Sequence, residues 1–218
     1  MHVCLPLLVS ASVFGSIGRK MGQVLEVMAR SRPVNSSSKS LHELSAKTLD
    51  GATVNFKDYA GKVLLVTNAH YTQFTEIWQQ YQDRFKGGEG KEEGGFEIFA
   101  FPCAQFANQE FPDAADIKKF VAAYNIPEKY NVRMMEKIDV NGPNMHPVFS
   151  FLKYHSSLYD DQSKTAKDIS WNFGKFLVDQ EGHVVKYYGP QVMPKSFIPD
   201  IDQVIARALR GFVRPPPQ

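Results

Sequence analysis

Few side chains in this sequence could do covalent chemistry, and fewer lie where catalysis is usually built. The only two cysteines are Cys4 and Cys103. Cys4 lies in a stretch that reads as a leader, so a disulfide framework is excluded as the basis of the fold. Cys103 follows an apolar run, Phe96 to Phe101, where an inert structural thiol is the default. His146 precedes Pro147 and suits a turn better than a general base. Nothing in the chain has metal-ligand spacing. The turn best situated for chemistry is Asn68-Ala69-His70, between a buried strand and a helix, where α/β sheets usually build their sites. It holds no Gly, no Pro, and no Cys or Ser nucleophile.

The elements around that turn follow from periodicity. Val63-Leu64-Leu65-Val66 is an unbroken apolar run, as a strand covered on both faces requires. Tyr71, Phe74, Ile77, Trp78, Tyr81 and Phe85 recur three or four apart and predict an amphipathic helix. Gln73, Glu76, Gln80 and Asp83 face away from that stripe. Upstream, 46–49 and 52–56 flank Asp50-Gly51 and predict a hairpin with a tight turn. Downstream come a solvated loop (86–95), a buried strand (96–101) and a helix (114–124) with Ile117, Phe120, Val121 and Tyr124 on one face. A short helix (147–153) and a strong hairpin (173–178 and 183–188 around Asp179 to Gly182) follow. A last helix (199–209) precedes a Pro-rich tail. This order predicts a three-layer α/β sandwich.

Composition narrows the partners. The chain is 43% hydrophobic and 22% charged, with a formal net charge of +2, and its basic residues are scattered. Nothing in that balance calls for nucleic acid or a membrane surface. The first forty residues differ from the rest. Leu5 to Ile17 is apolar but too short to span a bilayer. Arg19, Lys20, Arg30 and Arg32 follow, with Glu26 the only acid before Glu43. A secretory signal, a mitochondrial or plastid transit peptide, a signal-plus-transit leader, and a true start at Met21 or Met28 (leaving the chain cytoplasmic) all fit. Residues 35–40 (NSSSKS) read as a linker, and Asn35-Ser36-Ser37 is a glycosylation sequon if the chain is secreted. The expected division is a leader and linker at 1–40, disordered or cleaved, one domain at 41–210, and a tail at 211–218.

Three blocks carry a resemblance. They are Phe101-Pro102-Cys103-Ala104-Gln105-Phe106-Ala107-Asn108-Gln109-Glu110, then Lys137 to Gly142 with His146-Pro147, then Trp171-Asn172-Phe173-Gly174-Lys175-Phe176-Leu177. In order, they resemble the glutathione peroxidase family patterns F-P-C-N-Q-F-x-x-Q-E, K-x-x-V-N-G and W-N-F-x-K-F-L. The resemblance implies a thioredoxin-like three-layer α/β sandwich with a central mixed sheet and an N-terminal β-hairpin. It implies reduction of hydrogen peroxide and organic or lipid hydroperoxides, with glutathione or another small thiol as co-substrate and no bound cofactor. In the family, a cysteine or selenocysteine anion attacks the peroxide. Gln109, Trp171 and Asn172 match the side chains that donate hydrogen bonds to it. Taken singly, Trp171 reads as core, Gln109 as a surface amide and Asn172 as a turn residue.

One block departs. The family pattern V-x-N-V-A-S-x-[Cys or selenocysteine]-G-x-T-x-x-N-Y-x-x-L is met at its two ends, by Val66 to Ala69 and by His70 to Phe74. The loop between, nucleophile included, is missing between Ala69 and Tyr71. Either the natural protein is a selenoprotein whose stop-like codon was removed with a false intron, or the deletion is real and the chain is an inactive thioredoxin-fold binding or structural member. Ala104 and Ala107 replace the family's Asn and Gly and favour the second. Val121-Ala122-Ala123 stands where thioredoxin-dependent members carry a resolving cysteine, which points to a small thiol as reductant. The short 154–170 segment lacks the insertion of tetrameric members, so a monomer is expected.

Overall fold

The two unbroken apolar runs lie side by side at the centre of one sheet. A computed structural model describes residues 30–68, 77, 81, 95–123 and 132–211. Its strands are β1 (Ser31–Pro33), β2 (Ser45–Lys47), β3 (Thr53–Asn55), β4 (Val63–Asn68), β5 (Phe96–Phe101), β6 (Val132–Met134), β7 (Tyr159–Asp160), β8 (Thr165–Lys167), β9 (Lys175–Val178) and β10 (Val184–Tyr188). The helices with described bounds are α1 (Ala114–Ala123), α2 (Pro147–Tyr154) and α3 (Pro194–Gly211).

The main sheet has the order β10-β9-β4-β5-β6. β4, β5 and β6 run parallel, while β9 is antiparallel to both β4 and β10. Every residue of β4 and of β5 is buried, as their apolar runs require. Alternation along β4 divides the core. Val63 and Leu65 pack with Ile117 and Val121 of α1, with Phe197, Ile201 and Val204 of α3, and with the helical residues Ile77 and Tyr81. Leu64 and Val66 face the other way, toward Phe149, Phe151 and Leu152 of α2 and toward Phe56. Helices therefore cover both faces, and the expected mixed-sheet α/β sandwich is what forms. The N-terminal hairpin is β2–β3. Its turn is closed by Thr48, whose Oγ1 accepts from the N–H groups of Asp50 and Ala52, and by Gly51 at φ +81°.

Several boundaries differ from the sequence expectation. α3 begins at Pro194 and carries Pro199 inside it. The sequence reading took Pro199 as the first helical residue, but Pro194 holds that position and the helix tolerates the second proline within its early turns. β9 begins at Lys175, because Phe173 adopts φ +68° and cannot continue a strand. β6 and the small sheet β1-β8-β7 were not anticipated. Ser31–Pro33 pairs with Thr165–Lys167, so the chain joins the fold ahead of the boundary expected at Leu41. Residues 35–40 are also tied down: His155 Nε2 lies 3.0 Å from Ser38 O, and Ser40 Oγ donates to Glu181 O. The predicted leader up to residue 29, most of the 71–85 helix, the 86–94 loop and the tail lie outside the described residues. Among the described residues no helix is long and apolar enough to cross a membrane.

Candidate functional site

β4 ends on Asn68, a fully buried amide that binds the third sequence block to the sheet. Its Oδ1 accepts from Gly174 N (2.8 Å), and its Nδ2 donates to Trp171 O (3.1 Å). Its carbonyl accepts from Phe173 N (2.9 Å). The Trp171–Gly174 turn is thereby pinned at the carboxyl end of the central strand, despite the left-handed backbone at Phe173. Gly174 leaves no room for a side chain: a Cβ there would lie 2.9 Å from Ile169 Cγ2 and 3.1 Å from Asn68 Oδ1.

The second block leaves β5 through Pro102 and Cys103. Cys103 is 3% exposed, and burial pushes its thiol pKa up. A thiol held protonated and covered is no nucleophile, in keeping with the structural role expected of it. Gln105 then clasps the K-x-x-V-N-G block. Its Oε1 accepts from Val140 N and Asn141 N at 3.0 and 2.9 Å, and its Nε2 donates to Asn141 O at 2.8 Å. Asn141 continues the chain of contacts, donating to Ile169 O and accepting from Ile169 N, both at 2.9 Å. Its Oδ1 also accepts from Lys153 Nζ (3.1 Å), an ammonium with no solvent exposure that pairs with Asp168 at 3.2 Å. Arg32 of β1 meets the other oxygen of Asp168 at 2.9 Å. Burial lowers the Lys153 pKa while Asp168 raises it. One polar network thus holds the 101–110 and 137–142 blocks in fixed relation to α2 and to the Asp168-Ile169 segment, with its buried ammonium paired to Asp168.

Of the three expected donors, the structure joins two directly. Asn172 Nδ2 donates to Gln109 Oε1 at 3.3 Å. Gln109 is brought there by two left-handed residues in succession, Ala107 (φ +54°) and Asn108 (φ +49°). Trp171 is half-buried, and its ring lies 6.0 Å from that of Phe106. Among the described residues, the Trp171 indole N–H and the Gln109 amide N–H groups have no hydrogen-bond partner. The turn that should present a nucleophile, Ala69 and His70, lies outside the described residues.

His146 serves as the N-cap of α2, with Nδ1 accepting from Val148 N at 3.3 Å. Burial lowers its pKa and favours the neutral ring, whose Nδ1 lone pair is engaged by the cap. The sequence saw no metal-ligand spacing, yet the β9–β10 turn gathers Asp179, Glu181 and His183, with ligand atoms within 4.8 Å of one another. Asp179 Oδ1 there already accepts from the N–H groups of Glu181 and His183. Asn68, Gln105 and Asn141 escaped the sequence reading as individual residues. Their only signal was membership in the blocks, since an amide's role depends on partners distant in sequence.

The family model described as glutathione peroxidase matches residues 41–153. A phospholipid hydroperoxide glutathione peroxidase of Callithrix jacchus is 38% identical over 174 residues, covering 76% of this chain and 80% of its own. A hydroperoxy fatty acid reductase of Synechocystis is 38% identical over 173 residues, covering 78% of this chain and 98% of its own. Among solved structures, T. cruzi GPX1 superposes with a TM-score of 0.53 at 25% identity, covering 77% of this chain and 97% of its own. The apo form of Trgpx gives 0.57 at 22% identity, covering 78% and 99%. These neighbours bear out the thioredoxin-like fold.

Proposed function

Because this chain belongs to the glutathione peroxidase family, we propose that the natural protein reduces hydroperoxides at the expense of a thiol. Its nucleophile stands on a loop between Ala69 and Tyr71 that the present sequence has lost. The observation that carries this reading is the Asn172–Gln109 hydrogen bond beside Trp171, held at the carboxyl end of β4 by Asn68. A site whose loop had been lost by drift would be expected to loosen these supports.

The chemistry follows from the donors. A thiolate or selenolate between Ala69 and Tyr71 attacks one peroxide oxygen and breaks the O–O bond. The protein group becomes a sulfenic or selenenic acid, and the other oxygen leaves as an alcohol once protonated. Two thiols then return the group to its resting state as a disulfide and water form. Gln109, Trp171 and Asn172 act as fixed N–H dipoles. They favour the nucleophile's anion and steady the charge on the departing oxygen. The names of the relatives in C. jacchus and Synechocystis point to lipid hydroperoxides as substrates. Glutathione or another small thiol is the reductant, since α1 offers Val121-Ala122-Ala123 and no resolving cysteine. The short 154–170 segment is occupied by β7 and β8 within the small sheet, which supports a monomer.

One observation favours the inactive reading. Ala107 holds φ +54°, where a glycine is unstrained and alanine costs about 1–2 kcal/mol. That is a mark of relaxed demand beside Gln109. The test is a chain in which the Ala-Ser-x-Cys-Gly-x-Thr-x-x loop is restored between Ala69 and Tyr71, assayed for peroxide consumption with glutathione. It should turn over where the chain as written does not. Gln109→Ala and Trp171→Phe should each lower its rate by roughly 100-fold. A restored chain without activity, or one indifferent to both substitutions, would support the inactive member instead.

A further inference from the structure

One motif of the sequence has no part in peroxide chemistry. In Asn35-Ser36-Ser37 an asparagine is followed two residues on by a serine, the pattern of an N-glycosylation acceptor. No other asparagine in the chain has Ser or Thr in that position, including Asn68 and Asn141, whose amides hold the fold together. The structure places the acceptor on the surface. Asn35 and Ser37 are exposed, and residues 34–38 have no regular secondary structure. Their backbone is held while their side chains are left out. Val34 is buried, Ser150 Oγ of α2 donates to the Asn35 carbonyl at 2.9 Å, and His155 Nε2 lies 3.0 Å from Ser38 O. The Asn35 carboxamide and the Ser37 hydroxyl have no hydrogen-bond partner among the described residues.

We propose that Asn35 carries an N-linked glycan, and that the apolar run from Leu5 to Ile17 is the signal that takes the chain into the endoplasmic reticulum. That run has the length of a signal's apolar core and carries the small residues Gly15 and Ser16 toward its end. In the transfer, Asn35 Nδ2 bonds to the anomeric carbon of an oligosaccharide carried on a lipid pyrophosphate. The anomeric C–O bond breaks, the lipid pyrophosphate leaves with that electron pair, and one amide proton is released. The order of synthesis keeps the acceptor open. Ser150 lies 115 residues beyond Asn35, and His155 lies 117 beyond Ser38. Neither partner has been made when Asn35 enters the lumen, so the acceptor passes the transferase as free chain. Once the domain has folded, the glycan leaves from an exposed side chain and displaces no packing.

The full chain, with its own first residues, is expressed in eukaryotic cells and digested with peptide N-glycosidase F. The expected result is a single mobility shift that the enzyme removes. Mass spectrometry should then find the Asn35 carboxamide converted to a carboxylate. Asn35→Gln and Ser37→Ala should each abolish the shift. Ser36→Ala, at the position that tolerates any residue but proline, should keep it. Transfer precedes folding, so the readout does not require the domain to reach its native state. A chain unmodified at Asn35 overturns the proposal, whether it is secreted or kept elsewhere in the cell. A shift that survives Asn35→Gln overturns it as well. So does a glycan that appears only when residues 1–29 are exchanged for a foreign secretion signal, because the chain's own leader then fails to deliver Asn35 to the transferase.

Discussion

Cys103 is the one thiol in the described domain, and its surroundings decide its reactivity. It is 3% exposed, and burial raises its pKa. In the folded chain it should resist alkylation at neutral pH and react only after denaturation, as mass spectrometry of iodoacetamide-treated protein can record. Rapid labelling of the native protein would give the chain a usable thiol after all. Lys175 is a second buried group with a readable consequence. Its ammonium donates to Gly189 O and Val192 O at 2.9 and 2.7 Å and lies 4.1 Å from the Phe173 ring centroid, with no carboxylate on it among the described residues. Burial lowers its pKa to about 8, below its unfolded value. The folded state thus disfavours the charge. The penalty is complete below about pH 8 and is relieved as pH rises toward the unfolded pKa of roughly 10.4. Urea unfolding of the wild type against Lys175→Met should show the difference moving in the wild type's favour over that window. A flat difference would mean that the two carbonyls hold the charge in place. Gln109, Trp171 and Asn172 were legible in the sequence because they stand in recognisable blocks. Lys175 stood in such a block too, but only its tertiary surroundings show it to be buried.

At the scale of elements, the join between β4 and the Trp171–Gly174 turn matters most. The Asn68 side chain makes two of its hydrogen bonds to backbone, beside the bond from Phe173 N to the Asn68 carbonyl. Asn68→Ala should cost about 2–3 kcal/mol, because it leaves the Gly174 N–H and the Trp171 carbonyl unsatisfied. Chemical denaturation measures this directly, and a loss under about 1 kcal/mol would mean that the turn is held by other contacts. β4, β5, α1 and the β9–β10 hairpin could be read from periodicity, since each is long enough to show a period or an unbroken apolar run. β1, β6, β7 and β8 could not. Two or three residues carry no period, and these strands form because distant partners such as Arg32 and Asp168 bring their backbones together. Pro199 misled for a different reason. A proline marks a helix start only when no better start lies upstream, and Pro194 does.

Across the whole molecule, the central strand ends where its parallel neighbour β5 and its antiparallel neighbour β9 both send a motif block, which concentrates the candidate donors at one edge. The first block should supply the nucleophile at that same edge, and there the sequence passes directly from Ala69-His70 to Tyr71. The fold was legible because apolar runs, helical stripes and blocks all pointed to one topology. The missing loop was legible only as a departure from a resembled pattern. Sequencing the gene's transcript across the codons for Asn68 to Tyr71 tests this most directly. An additional in-frame loop holding a cysteine codon or a stop-type selenocysteine codon is the expected result. A mature message that joins these codons as written would contradict the peroxidase reading and leave the chain a binding member of its family.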